Sequence, residues 1–472
     1  MAETCCPELP DHVIEDIFAR LPAKTVLRCR CLSRVWAVTL STDDFADRHL
    51  RLANRHGGPR ILVLQDSRSR GARPKMHAWS PDHPGGTTLM EVPRVLARDR
   101  CPPLATALGS NRRSTSARNK VPYVVTEQCR GLVILEARAV EMYYVLNPST
   151  GQMAPLPEGR ATGCRRVTDT YHPDAHYASL GIGYDILTRK HKVVRIYYRG
   201  SDAEKLPASA AGCEVAQKKP AGWVYENSST IFAQGHVHWL AKRKLDSPLK
   251  ERFIVSFSLA SETFGTVPLP LDMMRNNLHK HYLVELGGHL GLFSMELKQH
   301  ALVPDRYMYV WLLHGHETCT WDLHCRIDLK TSPQDVSWFL HSGDGIRPLA
   351  FVGNDRRILL IQPQFSSYYK ASSFQMCVYA PVTGGIDILL DGSGFFSSKL
   401  MAFRKAILYE ESLAYPGRPH EDIVFAMSLV LRALSPCTLA RLKCVCRSWR
   451  VMIESDAFHE TRRNMPSFYF IF

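Results

Sequence analysis

Residues 9–36 read LPDHVIEDIFARLPAKTVLRCRCLSRVW, and this stretch decides the fold of the first part of the chain. Asp11 stands where a helix cap is expected, and Pro22 stands where that helix should end. The apolar residues between them recur at the spacing typical of an amphipathic helix, and they are Val13, Ile14, Ile17, Phe18 and Leu21. The pattern therefore predicts a first helix between Asp11 and Pro22.

Two further short helices are expected in the same stretch. One covers residues 25–30, and the other covers residues 32–40 with Val35, Trp36 and Val38 pointing inward. A unit of this size buries only part of its apolar surface, because small domains leave much of their chain exposed. The sequence therefore predicts that this helical module meets a partner surface.

The stretch resembles the F-box, a three-helix module that docks onto the Skp1 adaptor of cullin-type ubiquitin ligases. The match is carried by Leu9-Pro10, by the spacing from Ile17 to Leu21-Pro22, by KTVLR at 24–28 and by CLSRVW at 31–36. The sequence departs from plant members of the family at Val35, where they usually carry a polar residue, and at Ala37, where they usually carry Arg. From the residues alone, a helical hairpin within a larger core is the other reading.

The resemblance implies that one apolar set in this module faces Skp1 or supports the residues that do. Some members of the set must face the core of the module instead. The predicted Skp1-binding set is Leu9, Pro10, Val13, Ile14, Ile17, Leu21, Pro22, Val26, Leu27 and Trp36.

Length and composition are those of a globular chain with more than one domain. The 472 residues exceed one ordinary core, and 45% apolar with 22% charged residues argue against wholesale disorder. Lys and Arg exceed Asp and Glu by 14, and residues 61–130 hold twelve of the basic residues against five acidic ones. That basic segment has no aromatic residue between Arg94 and Lys120, so a solvated loop is favoured over a nucleic-acid site, and an acidic partner stays possible.

Cysteine usage and hydropathy predict an intracellular location. The fourteen cysteines show no regular spacing, and neither a signal peptide nor an apolar run of membrane length is present. We therefore expect reduced thiols in the cytoplasm or nucleus and no membrane partner.

From Val121 to about residue 400 the sequence is a series of short β-type runs separated by turn residues. Examples are GLVIL at 131–135, KVVRIYY at 192–198 and FIVSF at 253–257. Because no helix-length segment alternates with them, the pattern predicts all-β architecture. A propeller accommodates so many strands better than one sandwich, and blades of roughly 40–50 residues give about seven.

This region resembles the F-box-associated domain of plant F-box proteins, which is related to kelch propellers. The residues that carry the resemblance are CRGL at 129–132, YVLNPSTG at 144–151 with Leu156-Pro157, and GIGYD at 181–185 with Thr188 and KVV at 192–194.

The end of the chain repeats its beginning. Residues 434–458 align without a gap with residues 21–45, and nine of the 25 positions are identical. The front half of this copy matches the first F-box less well, because Asp422-Ile423 replaces the Leu-Pro pair and Ser435 replaces Pro22. The apolar run at 466–472 imitates residues 59–64, so it either begins a truncated second unit or closes the propeller by pairing with another strand.

No residue set predicts catalysis, a cofactor or a metal. His314, His316, Cys319, His324 and Cys325 include zinc-ligand types, but their spacing matches no standard pattern, so a polar loop with packed cysteines is favoured. A turn is favoured for Gly181-x-Gly183, because the third glycine of a phosphate loop is missing. The pairs Cys29/Cys31 and Cys444/Cys446 could form a four-thiolate site, but Cys31 and Cys444 are expected to pack in helical cores.

Together the patterns predict a multi-domain α+β protein: a small three-helix F-box, an all-β propeller-like domain and a short helical C-terminal segment. The expected boundaries are 1–56 for the F-box, 57–120 for a loop-rich basic segment with the first strands, 121–410 for the β domain and 420–472 for the partial second F-box.

The resemblance implies a non-catalytic substrate adaptor of a Skp1–cullin–F-box ubiquitin ligase. Its partners would be a Skp1-like protein, through it a cullin, and a protein substrate that the sequence does not identify. Two alternatives stay open: a ligase-independent scaffold with a vestigial F-box, and a propeller enzyme that uses the 314–325 cluster.

Overall fold

The computed structural model divides the chain into two compact units, Met1–Ala414 and Tyr415–Phe472. It describes residues 9–55, 59–67, 73–80, 83–93, 123–137, 142–156, 177–198, 211–213, 223–224, 230–242, 252–270, 279–296, 307–328, 346–366, 370–390, 401–417 and 454. The predicted second F-box copy and the run at 466–472 lie outside these residues, apart from Glu454.

Four helices open the first unit: α1 (Asp11–Phe18), α2 (Ala23–Cys29), α3 (Arg34–Thr39) and α4 (Asp43–Ala53). The three predicted helices and α4 form the helical module. Asp11 is the first residue of α1 and not its cap, because Pro10 occupies the cap position without a side-chain hydrogen bond. The hydroxyls of Ser33 and Thr42 cap α3 and α4 by accepting from backbone N–H groups.

The prediction that Val35 and Val38 point inward is wrong. They are 67% and 69% exposed, and of the three predicted residues Trp36 alone packs inward, with its ring edge-to-face on Phe18 at a centroid distance of 5.0 Å. Helix α3 has only six residues, so it turns one narrow face to the core. Trp36 and Leu40, one turn apart, occupy that face.

Twenty-four strands follow in the described part of the chain. The first eight are β1 (Arg60–Ser67), β2 (Lys75–Ser80), β3 (His83–Glu91), β4 (Tyr123–Val124), β5 (Val133–Ala137), β6 (Met142–Leu146), β7 (Met153–Pro155) and β8 (Tyr177–Asp185). The next eight are β9 (Lys190–Tyr198), β10 (Ala211–Cys213), β11 (Trp223–Val224), β12 (Ile231–Ala233), β13 (His236–Lys242), β14 (Arg252–Ser258), β15 (Thr263–Val267) and β16 (His279–Leu286). The last eight are β17 (His289–Glu296), β18 (Tyr307–Gly315), β19 (Thr320–Asp328), β20 (Arg347–Val352), β21 (Arg357–Ser366), β22 (Lys370–Tyr379), β23 (Ile386–Leu390) and β24 (Met401–Tyr409).

These strands form six antiparallel sheets in a ring, which is a propeller. In chain order the sheets are β24-β1-β2-β3, β4 to β7, β8 to β10, β11 to β15, β16 to β19 and β20 to β23. Strand β24 closes the ring by pairing antiparallel with β1 and lies against β4 and β22 of the sheets on either side. The expectation of about seven blades is wrong for the described residues, because long connections raise the length to about 58 residues per sheet.

The apolar runs of the strands are explained by burial on both faces. In β1, Ile61 and Val63 pack in a cluster with the last sheet, while Leu62 and Leu64 pack in a cluster with the sheet of β4 to β7. Alternate side chains point to opposite faces of a strand, so each sheet fills the gap to two neighbours. A strand covered on both faces therefore reads as continuous apolar sequence.

One end of the propeller, here called the turn face, carries the tight hairpin turns. These include the turns at 186–189, 234–235, 259–262, 287–288, 316–319, 353–356 and 380–385. Neighbouring strands of each sheet run in opposite directions, so alternate connections lie at opposite ends of the propeller. The tight turns lie at the same end as the start of β1 and the segment that follows β24. The helical module also lies at this end, as its contacts below show.

The segment Asn147–Gly151 forms a tight turn between β6 and β7. The side-chain oxygen of Asn147 accepts from the N–H groups of Ser149 and Thr150, and Gly151 has a φ of +79°. The turn predicted for Gly181-x-Gly183 is wrong, because both glycines lie inside β8. A Cβ on Gly181 would stand 2.4 Å from a methyl group of Val237, so the glycine permits close packing of neighbouring sheets.

Candidate functional site

The core of the helical module is small and apolar. Its buried members are Phe18, Ala19, Ala23, Val26, Leu40, Phe45 and, from the segment after β24, Leu413. Helix α1 supplies one stripe of this core, as its spacing predicts. Because Leu413 belongs to the cluster, the core of the helical module continues into the chain that leaves the propeller.

The same module leaves large aliphatic side chains in solvent. Of the eleven exposed large apolar side chains among the described residues, five lie within residues 9–38. We call them the outer aliphatic set, and they are Leu9, Ile17, Leu32, Val35 and Val38. Single exposed aliphatic residues are ordinary on a protein surface, but a concentration of them marks an interaction surface.

The predicted Skp1-binding residues divide by burial. Leu9, Pro10, Ile17 and Pro22 are exposed, Val13 is half-buried, and Val26 is fully buried. The others are half-buried against the core of the module, and they are Ile14, Leu21, Leu27 and Trp36. Sequence reasoning missed Leu32, Val35 and Val38, whose exposure depends on the direction in which the short helix α3 faces.

A buried carboxylate joins the helical module to the propeller. Glu411 Oε1 accepts from the backbone N–H of Ala23 at 2.7 Å. Glu411 Oε2 accepts from the Tyr409 hydroxyl at 2.8 Å and pairs with the Arg60 guanidinium at 3.4 Å. The Asn54 side chain exchanges two hydrogen bonds with the backbone of Glu411, at 2.8 and 2.9 Å. The end of α4, the start of α2 and the start of β1 therefore meet at one residue.

A second buried network fixes the segment that carries Glu411. The Asn147 amide donates to the carbonyls of Ser412 and Ala414 at 2.9 and 2.7 Å. The Ser149 hydroxyl accepts from the N–H of Ser412 at 3.1 Å and lies within hydrogen-bond distance of the Tyr409 hydroxyl, also at 3.1 Å. Burial, followed by the charge of Glu411, raises the pKa of the Tyr409 hydroxyl, so Tyr409 stays protonated and acts as a donor.

Helix α4 makes the other contact with the turn face. Asp47 pairs with Arg130 and, at 2.8 Å, with Arg189, and Asp44 also pairs with Arg189 at 2.8 Å. The guanidinium of Arg130 lies 4.0 Å from the centroid of the Tyr184 ring. The hydrogen bond to Asp44 is the main reason that the pKa of Arg189 lies above its usual value. The helical module is thus held by charge pairs on one side and by Glu411 on the other.

The His and Cys residues that are close in sequence at 314–325 do not form one site. His314 pairs with Asp322 at 3.0 Å, whereas His324 lies by Phe351 of the next sheet, at a centroid distance of 5.0 Å. Burial raises the pKa of the Cys325 thiol to about 12, so Cys325 remains a neutral thiol at the edge of the core. Among the described residues, no group of three or more His, Cys, Asp or Glu has the geometry of a metal site.

A different histidine group lies between the sheets of β13 and β18. The rings of His236 and His316 stack at 3.7 Å, and His238, fully buried, lies 5.4 Å from His316. Burial, followed by the nearby His316 and His236, lowers the pKa of His238 to about 3. Sequence reasoning missed this group because His316, in the turn after β18, lies about 80 residues after His236 and His238 of β13. Parallel stacked rings cannot both direct their nitrogens at one ion, and we assign the group no ligand.

The cysteine pair of the helical module does not pack as predicted. Cys29 contacts the helical core, whereas Cys31 is exposed. The pair Cys444/Cys446 lies outside the described residues, as does the whole stretch from Arg94 to Lys120. In the described part of the chain, no helix combines the length and the apolar character needed to cross a membrane.

Comparison with known families matches both parts of the chain. Residues 6–47 and 426–461 each match the F-box domain, and residues 102–343 match the F-box associated beta propeller domain. The second F-box match coincides with the repeat that the sequence shows at its end.

Several relatives from Arabidopsis thaliana align with the chain. An F-box/kelch-repeat protein is 24% identical over 441 residues, which are 86% of this chain and 90% of the relative. The F-box protein CPR1 is 23% identical over 385 residues, 75% of this chain and 79% of CPR1. For another F-box/kelch-repeat protein, 24% identical over 282 residues, the alignment spans 56% of this chain and 59% of the relative. The WD40 domain of SCAP from fission yeast superimposes at a TM-score of 0.28 and 9% identity, covering 77% of this chain and 90% of that domain.

Proposed function

This chain belongs to the F-box proteins that carry an F-box-associated β-propeller, and from that premise we propose that it is the substrate-recognition adaptor of a Skp1–cullin–F-box ubiquitin ligase. The F-box binds a Skp1-like protein and, through it, a cullin. The propeller binds a protein substrate.

One observation carries the proposal. The F-box turns its core toward Leu413 and its charged helix α4 toward the propeller, yet it leaves the outer aliphatic set in solvent. Burying one such side chain is worth about 1.5–3 kcal/mol relative to leaving it exposed. A partner that covers several of them would therefore bind with useful affinity, and a Skp1-like adaptor is the partner that the family implies.

The mechanism we propose is proximity. The chain forms and breaks no bond itself. It raises the effective concentration of substrate lysines near a ubiquitin-charged enzyme held elsewhere in the complex. The buried Glu411 contact and the charge pairs of α4 support this role, because a fixed F-box presents the substrate in a defined orientation. We propose that the chain acts in the cytoplasm or nucleus.

Skp1 binding by the full-length chain tests the proposal. We expect the wild-type chain to bind purified Skp1 and the double variant Ile17→Ser/Val38→Ser to bind at least tenfold more weakly, because truncating a central apolar contact typically costs 1–2 kcal/mol or more. Leu9→Ala/Pro10→Ala should weaken binding in the same direction. The matched control is Val382→Ser, because Val382 is 88% exposed on a propeller turn and lies outside the F-box.

Calorimetric titration gives the affinity, and the unfolding temperature of each variant verifies that it is folded. If the wild-type chain does not bind Skp1, the ligase proposal is wrong and the propeller is a ligase-independent scaffold. If the F-box variants bind as tightly as the control, the outer aliphatic set is not the contact surface.

A further inference from the structure

Helix α4 is attached to the propeller at both of its ends. Near its start, Asp47 pairs with Arg130 and with Arg189, which belong to turns of two neighbouring sheets. At its end, Asn54 exchanges hydrogen bonds with the backbone of Glu411. An α-helix rises about 1.5 Å per residue, so the two attachments lie about 10 Å apart along α4. We call Arg130 and Arg189 the arginine clamp.

The two arginines of the clamp stand at backbone positions that disfavour a side chain. Their φ values are +49° and +52°, a left-handed conformation that glycine adopts more readily. Two neighbouring turns carry Gln234 and Glu262 in the same conformation. The side chains of these two residues join one propeller sheet to another, by bonds to the Leu313 carbonyl and to Lys192. The clamp side chains extend from the propeller to the F-box.

An aromatic ring of the propeller sets the position of Arg130. The Arg130 guanidinium lies 4.0 Å from the centroid of the Tyr184 ring, and His191 meets that ring edge-on at 5.0 Å. Burial lowers the pKa of His191 to about 4, so His191 is neutral at neutral pH and does not repel Arg130. A planar guanidinium stacks on the ring and pairs with Asp47 at the same time, which a lysine ammonium does not reproduce. The propeller itself therefore aims Arg130 at α4.

The other polar contacts of the F-box lie together, on the far side of α4 from the clamp. Glu411 accepts from the N–H of Ala23, and Lys24, the next residue, donates to the carbonyl of Leu89 in β3. Two neighbouring points of attachment leave one rotation, about the line that joins them. The clamp supplies a third point at the start of α4, and three points fix the angle of one body on another.

The two sides of this junction differ in their exposure to solvent. The side chain of Glu411 is 11% exposed, whereas those of Asp44 and Arg189, which also pair with each other, are 87% and 42% exposed. Salt screens exposed charge pairs strongly and buried pairs much less. The clamp is therefore the side that can be weakened while the F-box stays attached through Glu411.

We propose that Arg130 and Arg189 are positioning residues that set the angle of the F-box on the propeller. The consequence of this inference rests on the proposed function: the clamp fixes the distance between a substrate on the propeller and the ubiquitin-charged enzyme of the ligase. Effective concentration depends steeply on such a geometry. Neither arginine belongs to the outer aliphatic set, so the clamp acts on ubiquitin transfer and not on Skp1 affinity.

The test measures the distance between the F-box and the propeller in the full-length chain. Genetically encoded spin labels replace the exposed His12 and Val382, and electron paramagnetic resonance gives the distance distribution. We expect a narrow distribution in the otherwise wild-type chain and one broadened by several ångströms in Arg130→Gln/Arg189→Gln. The conservative variant Arg130→Lys/Arg189→Lys should lie between them, because it keeps the charge but not the planar fork. Salt at about 1 M should broaden the wild-type distribution, because the Debye length is then about 3 Å.

Two further variants show whether the charge pairs are the cause. Asp44→Asn/Asp47→Asn should broaden the distribution as the glutamine variant does, and combining the two should add little, because the same pairs cannot be removed twice. Asp355→Ala breaks an exposed pair on another turn and should change nothing. Affinity for purified Skp1 should equal that of the wild type in every variant. In a reconstituted ligase, the glutamine variant should receive ubiquitin on a wider set of propeller lysines than the wild type does.

The outcomes separate this inference from the proposed function. A glutamine variant with the narrow distribution of the wild type overturns the inference, while Skp1 binding still supports the ligase role. Weaker Skp1 binding by that variant also overturns the inference, because the arginines would then support the F-box fold and not its angle. A wild-type chain that does not bind Skp1 overturns the proposed function, and the distance distribution still decides whether the clamp sets the angle.

Discussion

The carboxylate of Glu411 accepts a 2.7 Å hydrogen bond from the backbone N–H of Ala23, although 388 positions separate the two residues. Ala23 is the first residue of α2, and the residue before it, Pro22, has no side-chain acceptor. The first N–H groups of a helix lack partners within the helix, and a negative charge there is favourable. Glu411 therefore supplies from the propeller the cap that the F-box sequence lacks.

Replacing Glu411 by Ala should lower the free energy of unfolding by about 2–3 kcal/mol, because it leaves a buried N–H without an acceptor and Arg60 without its carboxylate. Glu411→Gln should cost less, because an amide oxygen still accepts from Ala23. Urea denaturation followed by fluorescence measures both. Asp355→Ala, which breaks an exposed pair with Arg357, is the control and should change stability by less than about 1 kcal/mol. Equal effects for Glu411→Ala and Asp355→Ala would show that the carboxylate does not join the two parts.

Gly131 should be far less tolerant of Ala than Gly151 is. Both have positive φ, +82° and +79°, so a side chain costs about 1–2 kcal/mol in backbone energy at either position. At Gly131 the added Cβ would also stand 2.2 Å from the Cβ of Ser412, whereas at Gly151 nothing lies within 4 Å. We expect Gly131→Ala to lose a further 1–3 kcal/mol, the usual cost of overpacking. Thermal unfolding of the two variants measures the difference in stability. Equal losses of stability would mean that the segment after β24 shifts to make room for the added methyl group at little cost.

Sequence patterns predicted the elements well and their orientation less well. Helix α1 and strands such as β9 and β14 follow from local periodicity, because one face or both faces of each must be buried. The outward direction of Val38 does not follow from the six residues of α3, since it depends on which helices pack beside it. The length per blade likewise depends on connections whose sequence carries no period.

The candidate site likewise contains residues that could be predicted from the sequence and residues that could not. The Leu-Pro and Ile17 positions could be read from the sequence, because the family resemblance covers them contiguously. Glu411 could not, because it lies 388 residues from its partner and its neighbours give no helical or strand pattern. The stacked His236 and His316 were missed for the same reason, since the packing of two neighbouring sheets brings them together.

The buried histidines should make the chain sensitive to acid. The pKa of His238 is lowered to about 3 and that of His191 to about 4, chiefly by burial. The folded state therefore binds fewer protons than the unfolded state once the pH falls below about 6.5, the ordinary histidine value. Stability is fully present above that pH and falls by about 1.4 kcal/mol per pH unit for each such histidine until the pH nears the folded pKa.

Urea denaturation between pH 7 and pH 4.5 measures this slope. The variant His238→Leu should have a shallower slope, because it removes one titrating group that faces His236 and His316. His12→Leu, on the exposed side of α1, serves as the control. A slope that is the same in His238→Leu and in the wild type would contradict the assignment of acid sensitivity to the buried histidine.

Ala23→Pro tests the junction from the side of the helix. Proline is well tolerated as the first residue of a helix, so α2 itself should not suffer, but proline has no N–H to donate to Glu411. We expect a loss of about 1–2 kcal/mol in urea denaturation, and little further loss when Ala23→Pro is added to Glu411→Ala, because one interaction cannot be removed twice. Additive losses would point to a steric cause instead. At the corresponding position the second F-box copy carries Pro436, so it lacks this donor. A backbone donor at this position is therefore particular to the first of the two F-box matches.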